Sequence, residues 1–319
     1  MAAENILIRA LSDVTDDHRS GVIAIGNFDG VHRGHQKVIE AARTCADKLE
    51  CQLGAMVFDP HPVKFFNPEV PPFRLTRIEK RAALLREAGT DFTLALNFNK
   101  AIAELDASAF IDQILVKALD VKAVVIGHDF HFGAKRSGSP ELLAAIGHEL
   151  GFEVVVVAAA HRDNAPTPFS SSEIRDALAR GDLKAATRWL GHPWSIDGEV
   201  ARGDQRGRTI GFPTANIELD DFTRPAFGVY AVQAQILDSR DRSEFINGVA
   251  NIGMRPTVGT LAPRLEVHLF DFADDLYGQW LDVSLLHFIR PEQKFDGLEA
   301  LKLQIAKDSE TARQILKNI

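Results

Sequence analysis

Short apolar runs alternate with longer amphipathic stretches through the first half of the chain. Residues 22–25, 53–58, 92–96, 121–126 and 154–158 are apolar runs of strand length. Between them, residues 33–49, 77–87, 107–119 and 140–150 repeat their apolar positions at helical spacing; in the first, these are Val38, Ile39, Ala42, Cys45, Ala46 and Leu49. Continuous apolar strands separated by helices predict a doubly wound parallel sheet, covered on both faces. Ligands of such sheets bind beyond the carboxyl ends of the strands. Residues 27–35, 59–62, 127–138 and 170–175 fall there.

The pattern changes near Trp189 to Trp194. Residues 196–201, 228–236, 245–251, 265–270 and 281–289 form short alternating runs separated by turn residues, which predicts an antiparallel sheet or small barrel. Residues 297–319 return to a helical period. The expected organisation is an α/β domain over 1–187, then a β-barrel domain with C-terminal helices over 188–319.

A length of 319 residues suits two domains, and 45% apolar with 25% charged residues is ordinary for a globular chain. The net charge of -8 argues against a broad nucleic-acid surface and leaves room for a local phosphate pocket. The two cysteines, Cys45 and Cys51, match no common zinc or redox spacing and read as reduced structural thiols. No apolar run reaches transmembrane length, and the first residues lack a signal-peptide layout. The expectation is a cytoplasmic protein with small-molecule partners, and with neither nucleic acid nor membrane.

Residues 26–35 read Gly-Asn-Phe-Asp-Gly-Val-His-Arg-Gly-His and join the first strand to the first helix. Free backbone N–H groups and the helix dipole favour a phosphate at such a junction. His32 and His35, three apart, are within reach of the same anion. By themselves they admit three readings: ordinary surface or core histidines, metal ligands, or phosphate-contacting catalysts. The stretch is neither a Walker A loop nor a dinucleotide fingerprint, because its glycines have the wrong spacing.

The stretch resembles the His-x-Gly-His signature of the nucleotidyltransferase superfamily, in the form carried by bacterial bifunctional riboflavin kinase/FMN adenylyltransferases (FAD synthetases). Residues 58–62, 127–133 and 170–175 are similar to later segments of that family, in order. The resemblance implies a Rossmann-like N-terminal domain in which His32 and His35 stabilise the nucleotide α-phosphate, with Mg²⁺ bridging phosphate oxygens. It places Gly26, Phe28, Asp29 and Gly34 at the nucleotide, and Ser171, Ser172 and Arg175 on the β- and γ-phosphates. Residues 170–172 also read simply as a helix N-cap. Phe65, Asp129 and Phe132 match the flavin side, where each phenylalanine could equally be core. His131 stands where relatives often carry Arg.

In the second half, residues 198–208 form a Gly/Arg-rich loop, followed by Pro213, Thr214, Ala215 and Asn216. Taken alone these are either an exposed turn or a phosphate and metal cradle. Pro-Thr-Ala-Asn resembles the riboflavin kinase signature, as do residues 227–232, 251–259 and 265–272 its later segments. That resemblance implies that Thr214 and Asn216 hold Mg²⁺ and ATP phosphates beside Gly207 and Arg208, and that Glu266 is the base toward the riboflavin 5′-hydroxyl. Glu266 shares a strand face with His268, which is either solvent or a site. Arg290 and Arg313 are looser candidates for flavin or phosphate contacts, or surface residues. Thr260 replaces a glycine common in relatives. The implied activity is phosphorylation of riboflavin to FMN, then adenylylation of FMN to FAD, with ATP in both steps. The alternative is that only one module is catalytic and the other binds flavin.

Overall fold

The computed structural model describes residues 6–160, 169–202, 211–237, 244–257 and 260–319. It divides into two packing units, Met1–Val70 with Arg77–Ser170 and Pro71–Thr76 with Ser171–Ile319.

The first unit is built on six strands: β1 (Ile6–Ile8), β2 (Val22–Ile25), β3 (Leu53–Asp59), β4 (Phe92–Asn97), β5 (Ala123–Gly127) and β6 (Glu153–Val157). They pair in parallel in the order β1-β4-β3-β2-β5-β6. The helices are α1 (Arg33–Lys48), α2 (Pro62–Phe66), α3 (Ile78–Glu87), α4 (Lys100–Glu104), α5 (Ala107–Phe110) and α6 (Pro140–Leu150). Alternate strand residues enter two separate cores. Val22, Ala24, Ala55 and Val57 pack with Ile39 and Ala42 of α1 and Leu85 of α3. Ile23, Ile25, Met56 and Phe58 pack with Phe110 of α5, Ile114 just beyond it and Leu143 of α6. Both faces are therefore buried, which is why the strands read as unbroken apolar runs. The expected helix over 107–119 is α5 continued by a π-helical segment, Ile111–Ala118. From β2 the order runs to β3 and β4 on one side, and β5 with β6 lies on the other. The turn after β2 thus leaves the sheet at its topological switch point.

The second unit opens with α7 (Ser171–Ala179) and α8 (Leu183–Leu190). Its strands are β7 (Ser195–Glu199), β8 (Ala215–Glu218), β9 (Gly228–Ile236), β10 (Ile246–Thr257), β11 (Thr260–Leu269) and β12 (Trp280–Pro291), followed by α9 (Leu298–Leu316). Every pair is antiparallel, in the order β7-β12-β9-β10-β11-β8. Ala201, just past β7, donates its N–H to the Asn216 carbonyl of β8 at 2.9 Å and joins the two ends of the sheet into a barrel. Ile196, Ile217, Tyr230, Val232, Ile252, Leu265, Val267 and Val283 fill the interior. Burial pushes the Tyr230 phenol up, and its hydroxyl donates to the Ala226 carbonyl. On the outer face, Val229, Ala231, Val249 and Phe270 meet Ala312 and Leu316 of α9, a single helix where the sequence pattern suggested more than one.

The packing division is not the same quantity as the functional boundary expected at 187/188. Ile174, Leu178, Leu183 and Leu190 pack into the barrel core, so α7 and α8 belong to the second unit. Residues 71–76 join it because Trp194 donates its indole N–H to the Leu75 carbonyl at 2.9 Å, and Thr223 N–H reaches the Arg74 carbonyl at 2.8 Å. β8 is the element that residue type concealed, since Pro213 to Asn216 reads as turn chemistry although its last two residues begin a strand.

Candidate active sites

The turn after β2 is held in a costly shape. Phe28 (φ 48°) and Val31 (φ 42°) are left-handed, as is Gly30 (φ 81°), and a β-branched residue rarely adopts that conformation. Val31 N–H reaches the Phe28 carbonyl at 3.0 Å, and Gln36 Nε2 donates to the Val31 carbonyl at 2.8 Å. The Phe28 ring is buried in the core, so its side chain supports the turn and His35 and presents no face to a ligand. Arg81 of α3 completes the brace. Its guanidinium donates to the Asn27 carbonyl at 3.1 Å and to Asp29 Oδ1 at 3.2 Å, with both side chains almost fully buried. The Asp29 carboxylate is therefore engaged in shaping the turn. Arg81 escaped the sequence reading, although a charged residue on the apolar stripe of Ile78, Ala82 and Leu85 is the signal that could have found it.

His32 is the N-cap of α1, and its Nδ1 accepts the His35 N–H at 3.3 Å. A neutral His32 consequently carries its proton on Nε2. The two imidazoles stack, with centroids 3.6 Å apart and planes 16° from parallel, and the Phe28 ring stands edge-on to His35 at 5.3 Å. Gly34 is the residue that permits this, because a Cβ there would lie 3.0 Å from His32 Cε1. The arrangement sets two imidazoles side by side at a helix N-terminus, where free N–H groups attract an anion.

Ser171, Ser172 and Arg175 stand together at the start of α7, in the second packing unit. Arg175 Nε donates to the Phe73 carbonyl at 2.6 Å, and its guanidinium lies over the Phe73 ring.

The flavin-side candidates separate. Phe65 in α2 begins a string of ring contacts that runs through Phe98, Phe58, Phe110 and Phe132 to Phe130. Phe132 is a buried wall of the core, tied to Gly138 by two backbone hydrogen bonds, and Phe130 is the half-buried ring stacked on it at 5.5 Å. Asp129 lies outside this string with its carboxylate exposed.

On the barrel, strand register assembles the other site. Asn216 of β8 pairs with Glu266 of β11, and Glu266 pairs with Asn251 of β10, so the three share one row and one face. Asn216 is buried, and its Nδ2 donates to the Thr214 carbonyl at 3.3 Å. Thr214 lines a cavity of about 160 Å³ with Val200, Val267, Asp274 and Tyr277. His268 donates Nδ1–H to the Pro213 carbonyl at 2.9 Å and so fixes the approach to Thr214. Gly253, on the same face, leaves the space that the Glu292 carboxylate occupies, which a Cβ would displace. Gly207 and Arg208 lie outside the described residues, as do Val258 and Gly259. Arg290 and Arg313 both serve to pin α9. Arg290 forks onto the buried Asp308 at 2.6–3.1 Å, and Arg313 grips Asp271 at 2.7 and 3.0 Å, holding that carboxyl below its usual range.

Among the described residues no group of three or more His, Cys, Asp or Glu could hold a metal ion. Thr214, Asn216 and Glu266 offer oxygen donors only, a set that suits a hard cation completed by substrate phosphates.

Two family models match this chain, FAD synthetase over residues 14–172 and riboflavin kinase over residues 190–316. The curated bifunctional riboflavin kinase/FMN adenylyltransferase of Escherichia coli (strain K12) is 42% identical over 309 residues, 97% of each chain. Its counterpart from Haemophilus influenzae is 42% identical over 312 residues, 96% of this chain and 98% of the relative. That of Pseudomonas fluorescens is 41% identical over 310 residues, 97% of each. A crystal structure described as a macrolide-efflux protein from Streptococcus pneumoniae superposes with a TM-score of 0.81 at 32% identity, covering 97% of this chain and 98% of that one. Among the described residues no helix is long and apolar enough to cross a membrane. With matched models on both halves and relatives aligned along nearly its whole length, this chain belongs to the bifunctional riboflavin kinase/FMN adenylyltransferase family.

Proposed function

We propose that the two reactions of this family, riboflavin phosphorylation and FMN adenylylation, run at separate centres, the first on the barrel face and the second at the turn after β2. The observation that carries this reading is where the two motif sets fall. The stacked His32–His35 pair stands at a helix N-terminus of the parallel-sheet unit, and the Asn216–Glu266 row stands on the barrel.

In the kinase step, Glu266 accepts the proton of the riboflavin 5′-hydroxyl as that oxygen attacks the γ-phosphorus and ADP leaves. Thr214 and Asn216 are the residues that would hold Mg²⁺, which when bound neutralises charge on the ATP phosphates. His268 keeps the Pro213–Thr214 segment in place. Gly207 and Arg208 belong to the same centre by their motif.

In the adenylyl step, an FMN phosphate oxygen attacks the α-phosphorus of a second ATP and pyrophosphate leaves. Transfer of this kind needs charge stabilisation and in-line placement more than covalent help. His32 donates from Nε2, and His35 stands beside it. Gly26, Phe28, Asp29 and Gly34 shape the turn. Ser171, Ser172 and Arg175 take the β- and γ-phosphates, and the Phe65, Asp129 and Phe132 segments form the flavin side, with Phe130 the more accessible ring. The functional boundary is placed at 187/188, and the location in the cytoplasm, where both steps find ATP.

Incubation with riboflavin, ATP and Mg²⁺, with FMN and FAD resolved by chromatography, tests the reading. Both products are expected. FMN accumulating without FAD, even when FMN is supplied, would remove the adenylyl half and leave that module as a flavin binder.

A further inference from the structure

Asn251 carries a donor that the fold leaves unused. Its Nδ2 is closed to solvent and meets no acceptor among the described residues. A buried amide without its hydrogen bond costs free energy, and an apolar residue of the same shape would avoid that cost. A polar side chain kept at such a place calls for a partner that arrives during the work of the protein.

The register narrows the choice of partner. On one side Asn251 faces Val229 of β9, which is apolar, and on the other Glu266 of β11. The diagonal neighbours on β11 are Arg264, which can only donate, and His268, whose Nδ1 donates to Pro213 and whose Nε2 is an acceptor one register step away from the pair. The Glu292 carboxylate lies beside Gly253, two residues along the same face, whereas the Glu266 carboxylate is the acceptor carried directly opposite Asn251 in the row. A carboxylate has four lone-pair sites, so it can face a substrate hydroxyl and still accept an amide N–H.

Resting on the assignment of Glu266 as the base, we propose that Asn251 is a positioning residue for it. When riboflavin and ATP are bound, the Asn251 amide donates to the Glu266 carboxylate oxygen turned away from the hydroxyl and fixes the carboxylate in the row.

The test is steady-state kinetics of riboflavin phosphorylation by the full chain carrying Asn251→Leu, Asn251→Ser or Glu266→Gln, and by the Glu266→Gln/Asn251→Leu double variant. Asn251→Leu keeps the shape and removes the donor. It is expected to lower kcat about tenfold, with KM for ATP within about twofold, because a base held loosely loses orientation rather than binding. Asn251→Ser, which retains a donor, recovers part of the rate. In the double variant the Leu change adds nothing to the loss from Glu266→Gln, as expected for two residues acting as a unit. Adenylylation of supplied FMN by the same preparations, together with a thermal melt, controls for folding, and the Ser variant carries the test if the Leu variant fails to fold.

A Leu variant with unchanged kcat overturns the proposal, and so do Leu and Gln losses that multiply. A Glu266→Gln variant with intact kinase activity overturns the underlying assignment instead.

Discussion

Asn216 and Glu266 stand directly opposite one another across β8 and β11, so the amide of one strand and the carboxylate of the next share a face of the barrel. Neither residue alone marks a site. With Thr214 they are the three oxygen donors of the proposed kinase centre.

Glu266→Gln preserves shape and removes the proposed base. Riboflavin phosphorylation is expected to fall by about 10²–10⁴, the range for loss of a general base. Asn216→Ala should depress the same reaction, chiefly by weakening ATP use. FMN adenylylation should stay near the parent rate in both, measured by chromatography of FAD formed from supplied FMN.

His32→Asn separates capping from chemistry. Asparagine keeps an N-cap acceptor for α1 and removes the imidazole. Adenylylation is expected to drop by at least about 10² while the melting temperature and the kinase rate hold. A matching drop in kinase rate would show a damaged fold instead.

Arg81→Met leaves the Asp29 carboxylate buried without its guanidinium. Breaking such a pair from one side costs about 3–5 kcal/mol, and the turn that carries His32 and His35 should loosen with it. Denaturant melts should report the loss. Replacing both partners, Arg81→Met with Asp29→Leu, should recover most of the stability but not the adenylyl activity.

Cys45 and Cys51 should differ in reactivity. Both are free thiols, Cys45 buried and Cys51 half-buried. Burial pushes the Cys45 thiol up, with the Glu153 charge adding to it. The folded thiol thus keeps its proton to higher pH than the unfolded one, so its contribution to stability is complete below the unfolded thiol's pKa and is lost as pH rises above it. Iodoacetamide at mildly alkaline pH should alkylate Cys51 first, and mass spectrometry should find Cys45 modified only in denaturant.

The parallel sheet was legible because burial on both faces forces unbroken apolar runs, and residues 22–25 are the observed β2. The barrel strands were legible through alternation, and residues 228–236 are the observed β9. β8 was hidden, because residue type spoke for a turn while pairing with β11 decided for a strand. Arg81 was hidden for a related reason: its partners Asn27 and Asp29 are remote in sequence, and only packing brings them together. Asn251 acquires meaning from register alone. Arg290 and Arg313 read in sequence as either ligand contacts or surface residues, and the structure pairs them with the carboxylates of Asp308 and Asp271 at α9.

In the proposed reading two separate centres act in succession, the FMN formed at one being the substrate of the other. This is tested most directly by mixing His32→Asn and Glu266→Gln chains with riboflavin, ATP and Mg²⁺, and following FAD by chromatography. Neither variant alone should convert riboflavin to FAD, and the mixture should, because the first supplies FMN and the second adenylylates it. FAD from riboflavin by either variant alone, or a Glu266→Gln chain that cannot adenylylate supplied FMN, would contradict the account.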